Sequence, residues 1–290
     1  MSATLEIARV GEGAVEVEVL PGFGARLHRL RVDGHDLIRT PASPDHHRRD
    51  PYFWGSYPMA PWCNRIAAGR TRVAGRELDL PATFPDGTAI HGQVSAAAWA
   101  PLGDGAWRIE SGGAGWPWRY AVEQRIAASD RRFDLELALT NLSDAPMPAG
   151  VGIHPWFRRP VEVAIAAASS HGSNVASSPE PAPVFGDLDR RVLAPLPNGL
   201  DATWTDLSSP PVVLQWPDFG IRATLEASST IGYVVAASPA EIDAVAVEPQ
   251  THAPAGIRRL IAGEPGALAL LPPSETMRMA VAISFERIET

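Results

Sequence analysis

Three side chains in this sequence can exchange protons and stand where short apolar runs end. His154 lies in the run GIHPWF, His91 in the run AIHG, and Glu248 directly follows the run VAV. Histidine gives or takes a proton near neutral pH, and a buried glutamate can act as a base. A proline follows both His154 and Glu248 and disfavours helix there, so both are expected at strand ends or turns. Together the three can supply one acid and one base to a reacting group.

A second set of polar side chains is suited to holding a molecule with several hydroxyl groups. Asn64 and Arg65 are adjacent and offer hydrogen-bond donors and an acceptor. Asp201, in the run LDATW, adds a carboxylate, and Gln250 follows Glu248 by two residues. These four are the candidate substrate-binding polar groups.

Aromatic side chains supply the apolar faces that pack against the C–H faces of sugar rings. The chain contains 9 tryptophans, most of which are expected in the core. Trp156 is the first candidate for a pocket wall, with Trp62 and Trp204 as further candidates.

Each of these residues taken alone also fits an ordinary structural role. A single histidine in an apolar run is more often a half-buried structural residue than a catalyst. An Asn–Arg pair is common in surface turns, and Cys63 beside Asn64 fits a small packing residue. Their joint occurrence favours the catalytic interpretation over the structural one.

Composition excludes several classes of function. The net charge of −8 argues against nucleic acid or an anionic membrane as the main partner. The sequence contains no lysine, which rules out lysine Schiff bases and P-loop chemistry. Cys63 is the single cysteine, so no metal cluster built on cysteines is expected. The first residues do not resemble a signal peptide, and no apolar run is long enough to span a membrane, so a cytoplasmic location is expected.

The elements that must position these residues are predicted to be short antiparallel strands. Apolar and polar residues alternate in 15–19, 133–140 and 277–285, as in strands with one buried face. Turn sequences such as Asp33-Gly34 and Asp104-Gly105 separate such runs. The 25 glycines and 28 prolines are scattered, which leaves room for few and short helices.

We therefore predict one all-β domain over residues 1–290. The stretch 169–183 is rich in Ser, Pro and Gly and is expected to form a long loop. The polar stretch 44–50 contains paired histidines without the fixed spacing of metal ligands, and a surface loop is expected there.

Five motifs in order give the chain a family resemblance. They are PMAPWCNRIAAGR (58–70), IHG (90–92), GIHPWF (152–157), LDATW (200–204) and VEPQT (247–251). The stretch GFGARLHRLRVDGHDLIR (22–39) also looks like the opening hairpins of the same family. The set resembles the aldose 1-epimerases, or galactose mutarotases, from about residue 20 to the end.

The resemblance implies a large antiparallel β-supersandwich and interconversion of the α and β anomers of a free aldohexose, such as galactose or glucose. Glu248 then resembles the base that takes the proton of the C1 hydroxyl, and His154 the acid that protonates the ring oxygen. His91 assists at the ring oxygen or a neighbouring hydroxyl. No cofactor and no metal are implied, and the partner is a small sugar. The protein is expected to be a monomer or a homodimer.

The resemblance also implies that Arg65 and Asp201 bind hydroxyl groups of the substrate, with Asn64 beside them. The match at LDATW is loose, so Asp206 is an alternative to Asp201. His252, two residues beyond Gln250, introduces a second histidine near the base.

Three other functions remain open from the sequence. A hexose-6-phosphate mutarotase needs a basic cluster, for which Arg158 with Arg159, or Arg70 with Arg72, are available. The net acidity favours neutral sugars. A non-catalytic sugar-binding or sensor domain on the same fold is the second alternative, because fold alone does not set function. A polysaccharide lyase on a related sandwich is the third.

Overall fold

A computed structural model describes residues 4–172 and 180–289. It is 55% strand and 6% helix, which confirms the all-β prediction. The strands are β1 (Ala8–Val10), β2 (Val15–Leu20), β3 (Arg26–Val32), β4 (His35–Asp36), β5 (Ser56–Met59), β6 (Arg65–Ala67), β7 (Gly69–Val73), β8 (Arg76–Leu80), β9 (Thr88–Ile90), β10 (Ala100–Gly103), β11 (Ala106–Gly113), β12 (Trp116–Ser129), β13 (Arg132–Asn141), β14 (Met147–Ala149), β15 (Gly152–Arg158), β16 (Glu162–Gly172), β17 (Ala182–Pro183), β18 (Leu200–Trp216), β19 (Ile221–Ala227), β20 (Tyr233–Ser238), β21 (Ala244–Gln250), β22 (Ala269–Leu271) and β23 (Thr276–Arg287).

Helices are short in the described part of the chain, as the scattered glycines and prolines predict. The two α-helices are α1 (His46–Arg49) and α2 (Gly256–Ala262), and two single 3₁₀ turns are Gly186–Leu188 and Pro217–Phe219. None of these helices is long and apolar enough to cross a membrane.

Most strands belong to one curled antiparallel sheet of 17 strands, so the predicted β-supersandwich is confirmed. One half runs β1-β2-β3-β5-β15-β21-β20-β18 by successive pairing. The other half runs β18-β19-β23-β13-β12-β11-β10. The long strand β18 belongs to both halves, because it pairs first with β20 and then with β19 along one edge.

The core lies against the apolar face of each half, as the sequence alternation predicts. In β13, Leu135, Leu137 and Leu139 are buried, and Leu137 lies opposite the buried Met279 of β23. Burial of each such side chain contributes about 1.5–3 kcal/mol. The alternate position Glu136 faces outward and binds Arg278 across the same two strands, at 2.6 Å.

The predicted hairpin turns have the backbone that their sequences favour. Asp33 and Gly34 have φ values of 48° and 83°, and Asp104 and Gly105 have values of 48° and 70°. Positive φ at two successive turn residues matches the right-handed twist of the flanking strands, and Asp-Gly adopts it at low cost.

Two loop predictions need correction. The stretch 44–50 is not all surface loop, because it contains α1, and His47 is fully buried against His28. The stretch 169–183 is partly strand, since Ser169 and Ser170 pair with Pro183 and Ala182. Residues 173–179 of that predicted loop lie outside the described residues.

Candidate active site

Five neighbouring strands of one sheet half bring the candidate residues together on one face. Tyr57 of β5 lies opposite His154 of β15. The pairs Gly152–Gln250 and Trp156–Ala246 set the register of β15 with β21 and place His154 opposite Glu248. Directly opposed side chains on one face of a sheet are within contact distance, so two motifs 94 residues apart in sequence meet through strand pairing.

The next two strands add the carboxylate of Asp201. Glu248 lies opposite Val235 of β20, and Ala237 of β20 lies opposite Asp201 of β18. Because side chains alternate along a strand, Val235 and Ala237 share the face that carries Glu248 and Asp201.

These side chains form the floor of a cavity of about 410 Å³, within the size range of small-molecule sites. Loops that leave the sheet form its walls. The lining comprises Tyr52, Phe53, Tyr57, Asn64, Arg65, Phe84, Ile90, His91, His154, Trp156, Gly199, Leu200, Asp201, Val235, Ala237, Pro239, Ala240, Glu241 and Glu248. All three predicted catalytic residues line this cavity.

His154 and Glu248 are in direct contact at its floor. The distance between His154 Nε2 and Glu248 Oε1 is 3.1 Å, and both side chains are buried. The second carboxylate oxygen, Oε2, is buried without a hydrogen-bond partner among the described residues. A buried acid–base pair is thus available to a third molecule in the cavity.

Burial shifts the two pKa values in opposite directions. It raises the pKa of Glu248 well above its usual value, and the nearby Asp201 carboxylate raises it further. It lowers the pKa of His154 to about 3. Each shift disfavours the charged form, so the neutral pair, with the exchangeable proton on the carboxyl group, is favoured over the carboxylate–imidazolium pair.

His91 is held as a hydrogen-bond donor next to this pair. Its Nδ1 accepts the backbone N–H of Asn64 at 3.2 Å, so Nε2 carries the proton of the neutral ring. Burial lowers the pKa of His91 well below its usual value, and His154 lowers it further by a smaller amount. Both effects favour the neutral ring of His91. The two imidazole rings lie 5.0 Å apart in an edge-on arrangement.

Asn64 and Gln250 form a support behind the cavity wall. Asn64 Nδ2 donates to Gln250 Oε1 at 2.8 Å, and Gln250 Nε2 donates to the carbonyl oxygen of His252 at 2.9 Å. Asn64 lines the cavity, whereas Gln250 is fully buried and does not line it. The geometry therefore gives Gln250 a role in orienting Asn64.

His252 ties the same wall to the end of β21. Its Nε2 accepts the backbone N–H of Cys63 at 2.9 Å, and its Nδ1 contacts the carbonyl oxygen of Ala253 at 2.7 Å. Burial lowers its pKa to about 4, which preserves the neutral ring that this bonding needs. His252 does not line the cavity.

The cavity rim carries Arg65 and Asp201. Arg65 Nε donates to Asp86 Oδ2 at 2.7 Å, which holds the guanidinium against its own hairpin. Desolvation raises the pKa of Asp201, and Arg65 partly offsets this. Of the two candidate aspartates, Asp201 lines the cavity, and Asp206, farther along β18, does not.

The aromatic candidates separate into pocket and core. Trp156 lines the cavity, its ring lies 5.1 Å from that of His154, and its Nε1 donates to the carbonyl oxygen of Tyr52 at 2.6 Å. Phe157 is the next residue of β15, points to the other face and joins the main core. Trp62 and Trp204 are buried in that core as well.

Several lining residues were not identified from the sequence. Tyr57 stacks on His154 with ring centroids 4.7 Å apart, and Tyr52, Phe53 and Phe84 add aromatic walls. Tyr57 lies next to the motif that begins at Pro58, and only the register of β5 with β15 reveals its partner. The other three stand in loops without a regular spacing.

The arginine pairs considered for phosphate binding do not line this cavity. Among the described residues, Arg65 is the one arginine of its wall, and Arg158, Arg159, Arg70 and Arg72 are not part of it. Arg70 lines an adjoining cavity that shares Asn64, Arg65 and Asp201 with this one. No group of three or more metal-binding side chains is found within residues 4–172 and 180–289.

Comparison with known proteins places this geometry in a family. The family model for aldose 1-epimerase matches residues 9–269. A solved structure of a protein from Escherichia coli K12 has a TM-score of 0.82 at 20% identity and covers 98% of this chain and 100% of its own. A galactose mutarotase-like protein from Clostridium acetobutylicum has a TM-score of 0.81 at 16% identity, covering 98% and 99%. A GalM/aldose epimerase homologue from C. elegans has a TM-score of 0.80 at 15% identity, covering 98% and 100%.

At these identities the solved structures establish the shared fold. No curated protein matches the chain. The family match spans most of the chain and includes every residue that lines the cavity. The chain belongs to the aldose 1-epimerase family.

Proposed function

We propose that the protein is a mutarotase that interconverts the anomers of a free, neutral aldohexose. The observation that carries this proposal is the contact of 3.1 Å between the buried side chains of His154 and Glu248 on the floor of the cavity. Anomer exchange needs one proton removed from the C1 hydroxyl and one delivered to the ring oxygen, and both oxygens are bonded to C1. An acid and a base in mutual contact match that requirement.

The reaction then follows from the proton held by the pair. Transfer of that proton from Glu248 Oε1 to His154 Nε2 gives a carboxylate and an imidazolium. The carboxylate takes the proton of the C1 hydroxyl as the imidazolium protonates the ring oxygen and the C1–O bond to the ring breaks. The chain aldehyde rotates about C1–C2 and closes on its other face as the two groups reverse their roles.

The other lining residues hold the sugar during this exchange. The Nε2–H group of His91 donates to the ring oxygen or a neighbouring hydroxyl, and Asp201, Arg65 and Asn64 bind hydroxyls farther from C1. Trp156 gives the sugar an apolar face to pack against.

A neutral sugar suits this cavity better than a sugar phosphate. The described lining contains three carboxyl groups, Asp201, Glu241 and Glu248, against the single arginine Arg65, which is already paired with Asp86. A phosphate dianion needs several free donors with positive charge.

The test is exchange of anomers measured by NMR or polarimetry with α-glucose, α-galactose and glucose 6-phosphate. We expect faster exchange of at least one neutral hexose, and slower or no catalysis with the phosphate. Glu248→Gln should reduce the rate by about 10²–10⁴-fold, because it removes the base but keeps the shape. The same variant should still bind sugar.

The matched control is Glu12→Gln, an exposed glutamate remote from the cavity, which should retain the full rate. Absence of catalysis with every aldose tested would refute the enzyme and support a sensor domain. Products that absorb in the ultraviolet would indicate a lyase instead.

A further inference from the structure

A buried cation lies next to the floor of the cavity and does not line it. Arg26 of β3 is fully buried. Its Nη1 donates to the carbonyl oxygen of Pro51 at 2.7 Å, and its Nη2 donates to that of Ser95 at 2.6 Å. Both acceptors are neutral, so these bonds hold the guanidinium without cancelling its charge.

One aromatic ring connects this cation to the proposed catalytic histidine. The Arg26 guanidinium lies over the Tyr57 ring, 5.0 Å from its centroid. The His154 ring stacks on Tyr57 at 4.7 Å with an angle of 24° between the planes. Tyr57 is buried, and its hydroxyl donates to the carbonyl oxygen of Tyr52 at 3.2 Å. The charge of Arg26 is therefore separated from His154 by the buried Tyr57 ring, and it acts on His154 through a medium that excludes water.

The third hydrogen bond of Arg26 is to a neutral histidine. Arg26 Nη1 can only donate, so His47 Nδ1 accepts at 3.4 Å, and the proton of His47 lies on Nε2. His47 Nε2 then donates to His28 Nδ1 at 3.1 Å. Burial, followed by the charge of Arg26, lowers the pKa of His47 to about 2, so His47 adds no positive charge near neutral pH.

Arg26 itself stays charged at neutral pH. Burial lowers its pKa to about 10, still about three units above neutrality. Asp50 and Tyr52 are the groups of the same loop that act on it, and the carboxylate of Asp50 is bound by Trp54 Nε1 at 2.8 Å.

We propose that Arg26 is a positioning residue that keeps the proton of the His154–Glu248 pair on the carboxyl group through its contact with Tyr57. Moving that proton breaks the O–H bond of Glu248 and forms the N–H bond of His154, which creates an imidazolium next to a guanidinium. The cation disfavours that product and makes the imidazolium a stronger acid towards the ring oxygen. The effect on proton delivery to the ring oxygen rests on the proposed function. The effect of Arg26 on which of the two groups holds the proton does not.

The other charged or titratable groups that face His154 differ from Arg26 in charge or in burial. Glu248 contacts it from β21, Tyr57 stacks on it from β5, and the neutral His91 meets it edge-on. Arg65 acts from the rim, where it is paired with Asp86 and half-exposed. Arg26 is the buried cation of this set.

The test compares Arg26→Met, which removes the charge, with Arg26→Lys, which retains it. The ¹⁵N shifts of the His154 ring, assigned with His154→Gln and followed from pH 7 down to the lowest pH at which each protein stays folded, report when the ring changes from imidazole to imidazolium. We expect imidazole shifts at pH 7 in all three proteins, and an onset of the change to imidazolium about one pH unit higher in Arg26→Met than in the unsubstituted protein and in Arg26→Lys. The acidic limb of kcat/KM should move up by about one pH unit in Arg26→Met.

A matched control is Arg259→Met, which removes another fully buried arginine bound to backbone carbonyl oxygens. It should leave the pH dependence of the His154 shifts unchanged. If Arg26→Met does not fold, Arg26→Gln gives the same comparison with one donor group retained. An onset that is not raised in a folded neutral variant, or equal onsets in the Lys and Met variants, would overturn the proposal. A wild-type protein without epimerase activity but with the expected onsets would overturn the proposed function and leave this inference standing.

Discussion

At the scale of single residues, burial and hydrogen bonding, rather than residue type alone, set the protonation of the histidines in and behind the cavity wall. His154, His91 and His252 are all buried and neutral, yet each has a different bonding pattern. His154 faces a carboxyl group, His91 accepts a backbone N–H, and His252 bridges two backbone groups. Three histidines thus have three different hydrogen-bonding patterns, which the residue type alone does not predict.

His91 gives a prediction at this scale. Its φ of 57° lies in the left-handed region, which asparagine tolerates better than most residues. His91→Asn should keep the backbone but shorten the donor group that faces the cavity. We expect kcat/KM for the neutral hexose to fall about tenfold, the value of one hydrogen bond, with a thermal midpoint close to that of the wild type. An unchanged kcat/KM would contradict a substrate contact by His91.

The sequence predicted the residue types of this site well and their contacts only in part. The motifs around His154, Glu248, His91 and Asp201 identify side chains that the structure brings to one cavity. The position of Gln250 behind Asn64 could not be read from its motif, because two residues along a strand return a side chain to the same face and do not say how far the cavity extends. Arg26 lies in the stretch 22–39 that resembles the opening hairpins of the family, and nothing in the sequence signals its contact with Tyr57.

At the scale of elements, the cavity wall depends on two segments that touch through their backbones. Gly92, after β9, forms a bridge with Ala60 ahead of β6. A Cβ atom at Gly92 would lie 1.8 Å from the carbonyl oxygen of Ala60, so no side chain fits there. The segment that carries His91 and the segment that carries Asn64 are held together by this close approach.

Gly92→Ala tests the contact. We expect the free energy of unfolding to fall by about 2–4 kcal/mol, because a clash is added to the strain of a positive φ. The control is Gly34→Ala, which has a similar φ of 83° and open space around its Cβ position. That control should cost about 1–2 kcal/mol, the strain alone. Equal losses in urea unfolding would show that the close approach contributes nothing.

The strand pattern was predictable where alternation and turn residues agree, as in β13, β23 and the Asp33-Gly34 turn. It was not predictable where tertiary contacts override composition. His47 lies in a polar run that reads as surface, but its ring is bonded to His28 and Arg26 and is buried. Ser169 and Ser170 are polar but complete a strand by pairing with β17.

At the scale of the whole molecule, buried neutral histidines make stability depend on pH. Burial lowers the pKa of His47, His154 and His252 to about 2, 3 and 4, lowers that of His91 well below its usual value, and also lowers that of His28. In the unfolded chain these groups take up protons near pH 6.5. Each therefore removes about 1.4 kcal/mol of stability per pH unit as the pH falls below 6.5.

Glu248 and Asp201 act in the opposite direction, because their pKa values are raised in the fold. Their contribution is full below the unfolded pKa and is lost as the pH rises towards the folded value. Five buried histidines outweigh the buried Glu248 and the exposed Asp201, whose contribution is reduced by solvent screening, so the free energy of unfolding should rise by about 3 kcal/mol per pH unit around pH 5.5. Urea unfolding at intervals from pH 5 to 7 measures this slope, and a flat profile would contradict the neutral histidines.

Cys63 offers a way to watch the cavity wall move. It is the one thiol of the chain, is buried, and its Sγ would lie 2.7 Å from a Cβ atom at Gly152 of β15. Its backbone N–H is bonded to His252, and Asn64 is the next residue. Separation of the segment that carries Asn64 from β15 would expose this sulfur to a thiol reagent. Labelling kinetics in the native state therefore time the opening of the cavity wall, and a bound sugar that holds the wall closed would slow them.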